Sequence, residues 1–339
     1  MKEALFWTPD KEKENVVHCN LCAHHCIIKE GKRGLCGVRE NRAGKLYSLV
    51  YGRLIAEHVD PIEKKPLFHF QPGSRAYSIS TVGCNFRCLH CQNYDISQYP
   101  HAHNGEIAGR EQSAEEVVGE AIRTGCASVC YTYVEPTIFY EFARDCGMLA
   151  HNKGLKNVFV SNGYMTEETA RDLAGFLDGI NIDIKAFTDD FYKKVCKARL
   201  QPVLDSVRRL YELDVWVEVT TLVIPGLNDS PEELKDIAGF IRSISPEIPW
   251  HVTAFRPTYK MMDRPSTPVS TLRMAREIGL EAGLLYVYEG NIPGEGGENT
   301  YCPSCGHELI GRFGFSIREN RLQNGACPEC GQRIAGVWS

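Results

Sequence analysis

The chain has 339 residues, 43% hydrophobic and 24% charged, ordinary proportions for a globular protein with one main domain and smaller appendages. A net charge of -5 argues against a general nucleic-acid binder or a seeker of acidic membranes, since both use a strongly basic face. No apolar run approaches the roughly 20 residues of a membrane span, and Met1–Trp7 lacks the apolar core of a signal peptide, so the expected setting is the cytoplasm, with neither membrane nor nucleic acid as partner.

Residues 1–75 show no regular alternation and are expected to form a small metal-stapled module, because segments that short rarely bury enough core unaided. Cys19, Cys22, Cys26 and Cys36 lie there, with His18, His24 and His25 among them. Zinc and a second iron–sulfur cluster both fit this set, since thiolate suits either; the reading leans to zinc.

Residues 76–291 alternate strand and helix patterns. Strands are expected over Ala76–Val82, Ser128–Tyr133, Val158–Asn162, Gly179–Lys185, Val215–Val223, Trp250–Phe255 and Leu285–Tyr288. Helices are expected over Ser113–Thr124, Pro136–Asn152, Thr166–Phe176, Leu200–Leu213, Pro231–Ser243 and Ser270–Ala282. Ser113 with Glu116 forms a capping box, and Pro136 and Pro231 suit the first helical position. Such alternation implies an α/β fold with a parallel sheet and right-handed crossovers. About six units suggest a partial (β/α)6 barrel, TIM-like, with its chemistry at the C-terminal strand ends.

Directly after the first of these strands stands Cys84-Asn85-Phe86-Arg87-Cys88-Leu89-His90-Cys91. Three thiols can hold three irons of a cubane cluster and leave the fourth iron open, whereas four-cysteine runs fill every position. A zinc site completed by His90 or His101 is the alternative at this point. Further charges fall on strands that should line the barrel. Asp183 and Lys185 share a face opposite Ile182 and Ile184, Glu218 and Thr220 share another, and His251 and Thr253 a third. Buried charges are costly unless paired, so these mark either structural ion pairs or the wall of a ligand cavity. Glu135 sits in a turn before a Pro-started helix, where capping is one reading and a ligand-facing carboxylate the other. Ser161 and Asn162 end the third strand beside Gly163, and Ile224–Asp229 reads as a turn.

Residues 292–339 hold Cys302-Pro303-Ser304-Cys305 and Cys327-Pro328-Glu329-Cys330, paired knuckles that read as a zinc ribbon, with a rubredoxin-like iron as rival. Of fifteen cysteines, Cys126, Cys130, Cys146 and Cys196 fall outside these clusters and read as packed, inert thiols.

With these residues in hand, the chain resembles the radical S-adenosylmethionine (SAM) superfamily, and within it the activating enzymes of glycyl radical enzymes such as pyruvate formate-lyase. Its flanking modules resemble the radical SAM component of the AmmeMemoRadiSam system. The resemblance rests on Cys19-x2-Cys22-x-His24-x-Cys26, Gly34-x-Cys36-Gly37-Val38-Arg39, Cys84–Cys91 with Gln92-Asn93, Tyr131–Phe139, and Tyr286–Trp338. It implies a [4Fe–4S] cluster on Cys84, Cys88 and Cys91, with SAM on the open iron, cleaved reductively to a 5'-deoxyadenosyl radical that abstracts hydrogen from a substrate. By the same resemblance Glu135 meets the SAM amino group, Ser161 and Asn162 line the SAM site, Asp183 and Lys185 stand near it, and either His251 or Arg256 contacts SAM from the sixth strand. His90 departs from the aromatic residue often found there, and Thr132-Tyr133-Val134 replaces a glycine-rich signature. A protein or peptide substrate and a flavodoxin or ferredoxin reductant are the partners implied. Radical modification of a small molecule is the alternative, and a non-catalytic metal-stapled interaction protein a remote one.

Overall fold

From Arg75 onward the strands and helices follow one another as the periodicities predict. In chain order they are β1 (Arg75–Ser80), α1 (Ala114–Arg123), β2 (Ser128–Tyr131), α2 (Tyr140–Asn152), β3 (Lys156–Ser161), α3 (Glu167–Leu173), β4 (Gly179–Asp183) and α4 (Gln201–Glu212). They continue as β5 (Trp216–Val223), α5 (Pro231–Ile244), β6 (Trp250–Ala254), α6 (Val269–Glu281) and β7 (Val287–Gly290). A computed structural model describes residues 1–338. The chain forms two units: one of Met1–Asp60, Arg75–Ile180 and Lys193–Val215, the other of Pro61–Ser74, Asn181–Tyr192 and Trp216 to the C terminus.

In the first unit β1, β2 and β3 pair in parallel, with Ser128 opposite Ala76 on one side and Lys156 on the other. All four residues of β2 and Ala76–Ser80 of β1 are buried, the near-continuous burial of a sheet covered on both faces. The covering helices start where the sequence says. Ser113 accepts from Glu116 N at 3.2 Å while Glu116 accepts from Ser113 N at 2.7 Å, and α1 then turns Val117, Val118 and Ala121 inward. The helix expected from Pro136 is split: Pro136–Phe139 form a 3-10 turn capped by Glu135, and α2 begins only at Tyr140. Residues before β1 build two small antiparallel sheets, Trp7–Pro9 with Val16–Cys19 and Ile27–Lys29, and Lys2–Glu3 with Lys45–Ser48 and Arg39–Arg42.

In the second unit β5, β6 and β7 are again parallel, with Thr220 opposite His251 and His251 opposite Tyr288. Ser230 caps α5 by accepting from Glu233 N at 3.2 Å, with Pro231 at its first position. An antiparallel sheet of β8 (Thr300–Tyr301), β9 (Glu308–Phe313) and β10 (Ser316–Asn320) follows. Its Leu309 and Ile310 bury against Phe68, Tyr286, Tyr288 and Ile334. No helix among the described residues is long and apolar enough to cross a membrane.

Several strands stop short of their predicted ends. Val82, Tyr133, Asn162, Lys185 and Phe255 all lie just beyond the strands they were expected to finish. Chemistry-bearing side chains here sit in the loops after the strands, where parallel α/β folds place them.

Candidate active site

β1 delivers the chain into the three-cysteine loop through Gly83, whose φ is 98°. A Cβ there would stand 2.6 Å from Val38 Cγ1 and 2.9 Å from the Cys36 carbonyl, so only glycine fits. The loop is held from outside by backbone bonds: Arg87 N donates to Cys196 O at 2.9 Å and Leu89 N to Val195 O at 3.1 Å. His24 Nε2 donates to the Asn85 carbonyl at 2.8 Å. Cys88 is buried, Cys84 and Cys91 half-buried, and Cys84 Sγ accepts from Phe86 N at 3.3 Å. His90 is buried. Burial chiefly, and then the charges of Glu135, Cys88 and Cys91, push the Cys84 thiol well above its ordinary range. A thiolate at Cys84 would thus need a cationic group beside it, which an iron–sulfur cluster or a metal ion would supply.

The second wall comes from the loops after β2 and β3. Glu135, 3% exposed, accepts from Thr137 N at 3.0 Å, Thr137 Oγ1 at 2.5 Å, Ser161 Oγ at 2.9 Å and Asn162 N at 2.7 Å. Burial pushes its carboxyl up, and these four donors pull it part of the way back. The capping reading is thus correct for Thr137, but the same carboxylate also fixes Ser161 and Asn162. Asn162 Nδ2 in turn donates to Asn85 Oδ1 at 2.7 Å, so a continuous buried chain runs from Glu135 to the residue after Cys84. On the other side Asn93 Nδ2 donates to the Tyr133 carbonyl at 2.8 Å. Tyr133 holds φ 66°, a left-handed backbone uncommon for a bulky residue, and its hydroxyl donates to Asp60. Asn85, Asn93, Tyr133 and Asp60 had no individual role in the sequence reading, although the first three lie in stretches that carry the family resemblance. Only position singles out Asn85 and Asn93, one residue after Cys84 and two after Cys91.

Residues 78–241 match the radical SAM superfamily. An uncharacterized protein of Methanocaldococcus jannaschii is 48% identical over 337 residues, covering 98% of this chain and 99% of that protein. The pyruvate formate-lyase-activating enzyme of Clostridium pasteurianum is 25% identical over 179 residues, 51% of this chain and 71% of that enzyme. The chain belongs to the radical SAM superfamily, in its activating-enzyme-like branch. The structure of Streptococcus suis SuiB bound to S-adenosylmethionine has a similar fold, with a TM-score of 0.51 at 13% identity over 68% of this chain and 53% of SuiB. Membership of the radical SAM superfamily implies a [4Fe–4S] cluster and SAM.

In the second unit of this radical SAM chain, Asp183 and Lys185 form an ion pair of 2.7 Å at the end of β4, with Asp183 about a third exposed. Asn228, from the turn after β5, donates to the carbonyls of Lys185 at 2.7 Å and Leu222 at 2.9 Å, so that turn also fixes the Lys185 backbone. Glu218 and His251 are joined at 2.7 Å and wholly buried. Glu218 further accepts from Phe68 N at 3.0 Å, His69 N at 2.8 Å and Trp216 Nε1 at 3.0 Å, which fills a carboxylate's capacity. Burial would raise its carboxyl, but the His251 bond and the His251 and His69 charges win and hold it low. His251 is thus engaged by protein groups, while Arg256, two residues beyond β6, is exposed. His69 bridges Ala335 O at 2.7 Å and Tyr288 OH at 2.6 Å, near the two ends of the Tyr286–Trp338 stretch that carries the C-terminal part of the family resemblance. Gly336 is required beside them because a Cβ would meet the His69 carbonyl at 2.7 Å.

Cys302, Cys305, Cys327 and Cys330 converge, with their Sγ atoms all within 4.8 Å, Cys302–Cys330 at 3.6 Å and Cys305–Cys327 at 3.7 Å. Zn–S bonds of about 2.3 Å in a tetrahedron put sulfurs about 3.8 Å apart, so this set fits a single metal ion.

Proposed function

We propose that this chain uses SAM at a [4Fe–4S] cluster on Cys84, Cys88 and Cys91 to abstract hydrogen from a protein or peptide segment. When bound, the cluster and SAM supply one-electron reductive cleavage of a sulfonium bond, giving methionine and a 5'-deoxyadenosyl radical. The chain's own residues supply the setting. Cys84, Cys88 and Cys91 hold the cluster and leave one iron without a protein thiolate. Glu135 orients Asn162 and Ser161, and Asn162 steadies Asn85 beside the first cysteine; this Glu135–Asn162–Asn85 chain leading into a three-thiol loop is the observation that carries the reading. Four protein donors already occupy Glu135, so its part toward the SAM amino group is mainly to hold that wall in place. The Asp183–Lys185 pair offers one acceptor and one donor to a zwitterionic ligand. Arg256, just after the sixth strand, is favoured over His251 for a SAM contact, because His251 is committed to Glu218.

The protein substrate is supported by the relatives named as activating enzymes, and a flavodoxin or ferredoxin is the proposed reductant. The proposed frame is a partial (β/α)6 barrel over residues 76–291. It carries an N-terminal metal module over 1–75 and a zinc ribbon over 292–339. The test is anaerobic: reconstituted protein with dithionite and SAM should form 5'-deoxyadenosine. With its partner present it should install a radical on that protein, seen by EPR. Transfer of deuterium from a labelled small molecule into 5'-deoxyadenosine, with no radical on any protein, would overturn the substrate class.

A further inference from the structure

The N-terminal cysteines differ from the C-terminal ones in a way that bears on which metal they hold. Three histidines lie among Cys19, Cys22, Cys26 and Cys36, but each is engaged elsewhere: His18 with Asp10 at 2.6 Å, His24 with the Asn85 carbonyl at 2.8 Å, and His25 with Asn20 Oδ1 at 3.4 Å. The donor set is therefore four thiols.

Sulfur spacing then separates the candidates. One zinc ion draws four sulfurs to about 3.8 Å from one another, as the C-terminal set shows. Among the described residues that set is the only one that gathers three or more candidate ligand atoms within 4.8 Å. No three sulfurs of Cys19, Cys22, Cys26 and Cys36, nor those of Cys84, Cys88 and Cys91, gather within that distance. Thiolates spread in this way when each binds a different iron of a polynuclear cluster.

A buried cation completes the picture. Arg39 is 1% exposed and donates from Nη1 to Glu141 Oε1 at 2.8 Å and from Nη2 to the Leu5 carbonyl at 2.6 Å. Its Nε–H is buried with no hydrogen-bond partner, and its charge acts on Cys19 and Cys36. An orphaned buried donor is costly, and a cluster with four thiolates carries the negative charge that would occupy it.

We propose that Cys19, Cys22, Cys26 and Cys36 hold a second iron–sulfur cluster, not a zinc ion, with Arg39 as its buried counter-charge. The assignment does not require that the three-cysteine loop cleave SAM. The experiment is quantitation of iron, acid-labile sulfide and zinc in the full chain purified anaerobically, alongside a Cys84→Ala/Cys88→Ala/Cys91→Ala variant. The variant should keep about four irons and about four sulfides with about one zinc, and wild type about twice that iron. A variant without sulfide, whether it holds two zinc ions or one, overturns the proposal. Wild type and variant with the same four irons would keep this proposal and overturn the cluster at Cys84, Cys88 and Cys91. Should the triple variant not fold, Cys22→Ala serves: its iron should fall to about half of wild type, and unchanged iron would overturn the assignment. Arg39→Met should make the second cluster harder to reduce, seen as a negative shift of one of two EPR-monitored midpoints. An unmoved midpoint would remove Arg39 from the proposal.

Discussion

Replacing Glu135 by alanine removes one acceptor from four donors at once. Two of them, the Thr137 and Ser161 hydroxyls, can rotate to other partners, but the Thr137 and Asn162 backbone N–H groups cannot. A buried N–H left unsatisfied costs about 1–3 kcal/mol, so the pair costs about 2–6 kcal/mol. Relief of the carboxylate's own burial, visible in its upward-shifted pKa, offsets part of this and leaves about 2–3 kcal/mol. The loss is local, so amide hydrogen exchange at Asn162 is the suitable assay. At about 1.4 kcal/mol per factor of ten, exchange there should quicken roughly 30- to 150-fold. SAM affinity should fall with it, because the freed Asn162 no longer steadies Asn85. Glu135→Gln keeps one oxygen and should lie between wild type and Glu135→Ala. Unchanged exchange at Asn162, with SAM binding intact, would refute the claim that this carboxylate organises the wall.

Three further outcomes follow from the same geometry. Burial holds His69 down to about 4, below its ordinary 6.5, so protonation favours the unfolded state. Its contribution is complete above about pH 6.5 and is lost as pH falls toward 4, amounting to about 3 kcal/mol; a urea midpoint followed by tryptophan fluorescence that stays flat over this range would contradict it. Gly83→Ala should lower iron retention at the three-cysteine loop, since its Cβ meets Val38 and the Cys36 carbonyl at a positive φ; iron content equal to wild type would count against that packing. Chelating a metal held by Cys302, Cys305, Cys327 and Cys330 should loosen the cluster around Tyr286 and Tyr288, seen as loss of near-ultraviolet dichroism; an unaltered spectrum would show that core to be self-sufficient.

The alternation of strands and helices was legible because parallel strands and their covering helices carry strong, opposite periodicities, and caps such as Ser113 and Ser230 mark their starts. Cys84, Cys88 and Cys91 were legible because metal ligands cluster at short spacing. Glu135, Ser161 and Asn162 do meet in space, yet what joins them to the cysteines is Asn85, an amide with no signature of its own. Polar residues on β5 and β6 were ambiguous for a physical reason: period two tells which face a side chain takes, not what it meets there. Glu218 and His251 meet each other and the backbone of Phe68 and His69, a partner segment some 150 residues earlier that no local pattern reveals. Tyr133 is similar, since its left-handed backbone is dictated by tertiary contacts and runs against its intrinsic preference.

The central claim is that three thiolates complete the protein's share of the catalytic cluster and leave one iron for SAM. EPR of the anaerobically reduced chain, recorded with and without SAM, tests it most directly. The account predicts, beside the SAM-indifferent signal of the N-terminal cluster, a component that changes on adding SAM in wild type and is absent from Cys84→Ala. No SAM-responsive component in wild type, or one that survives removal of Cys84, Cys88 and Cys91, would contradict it.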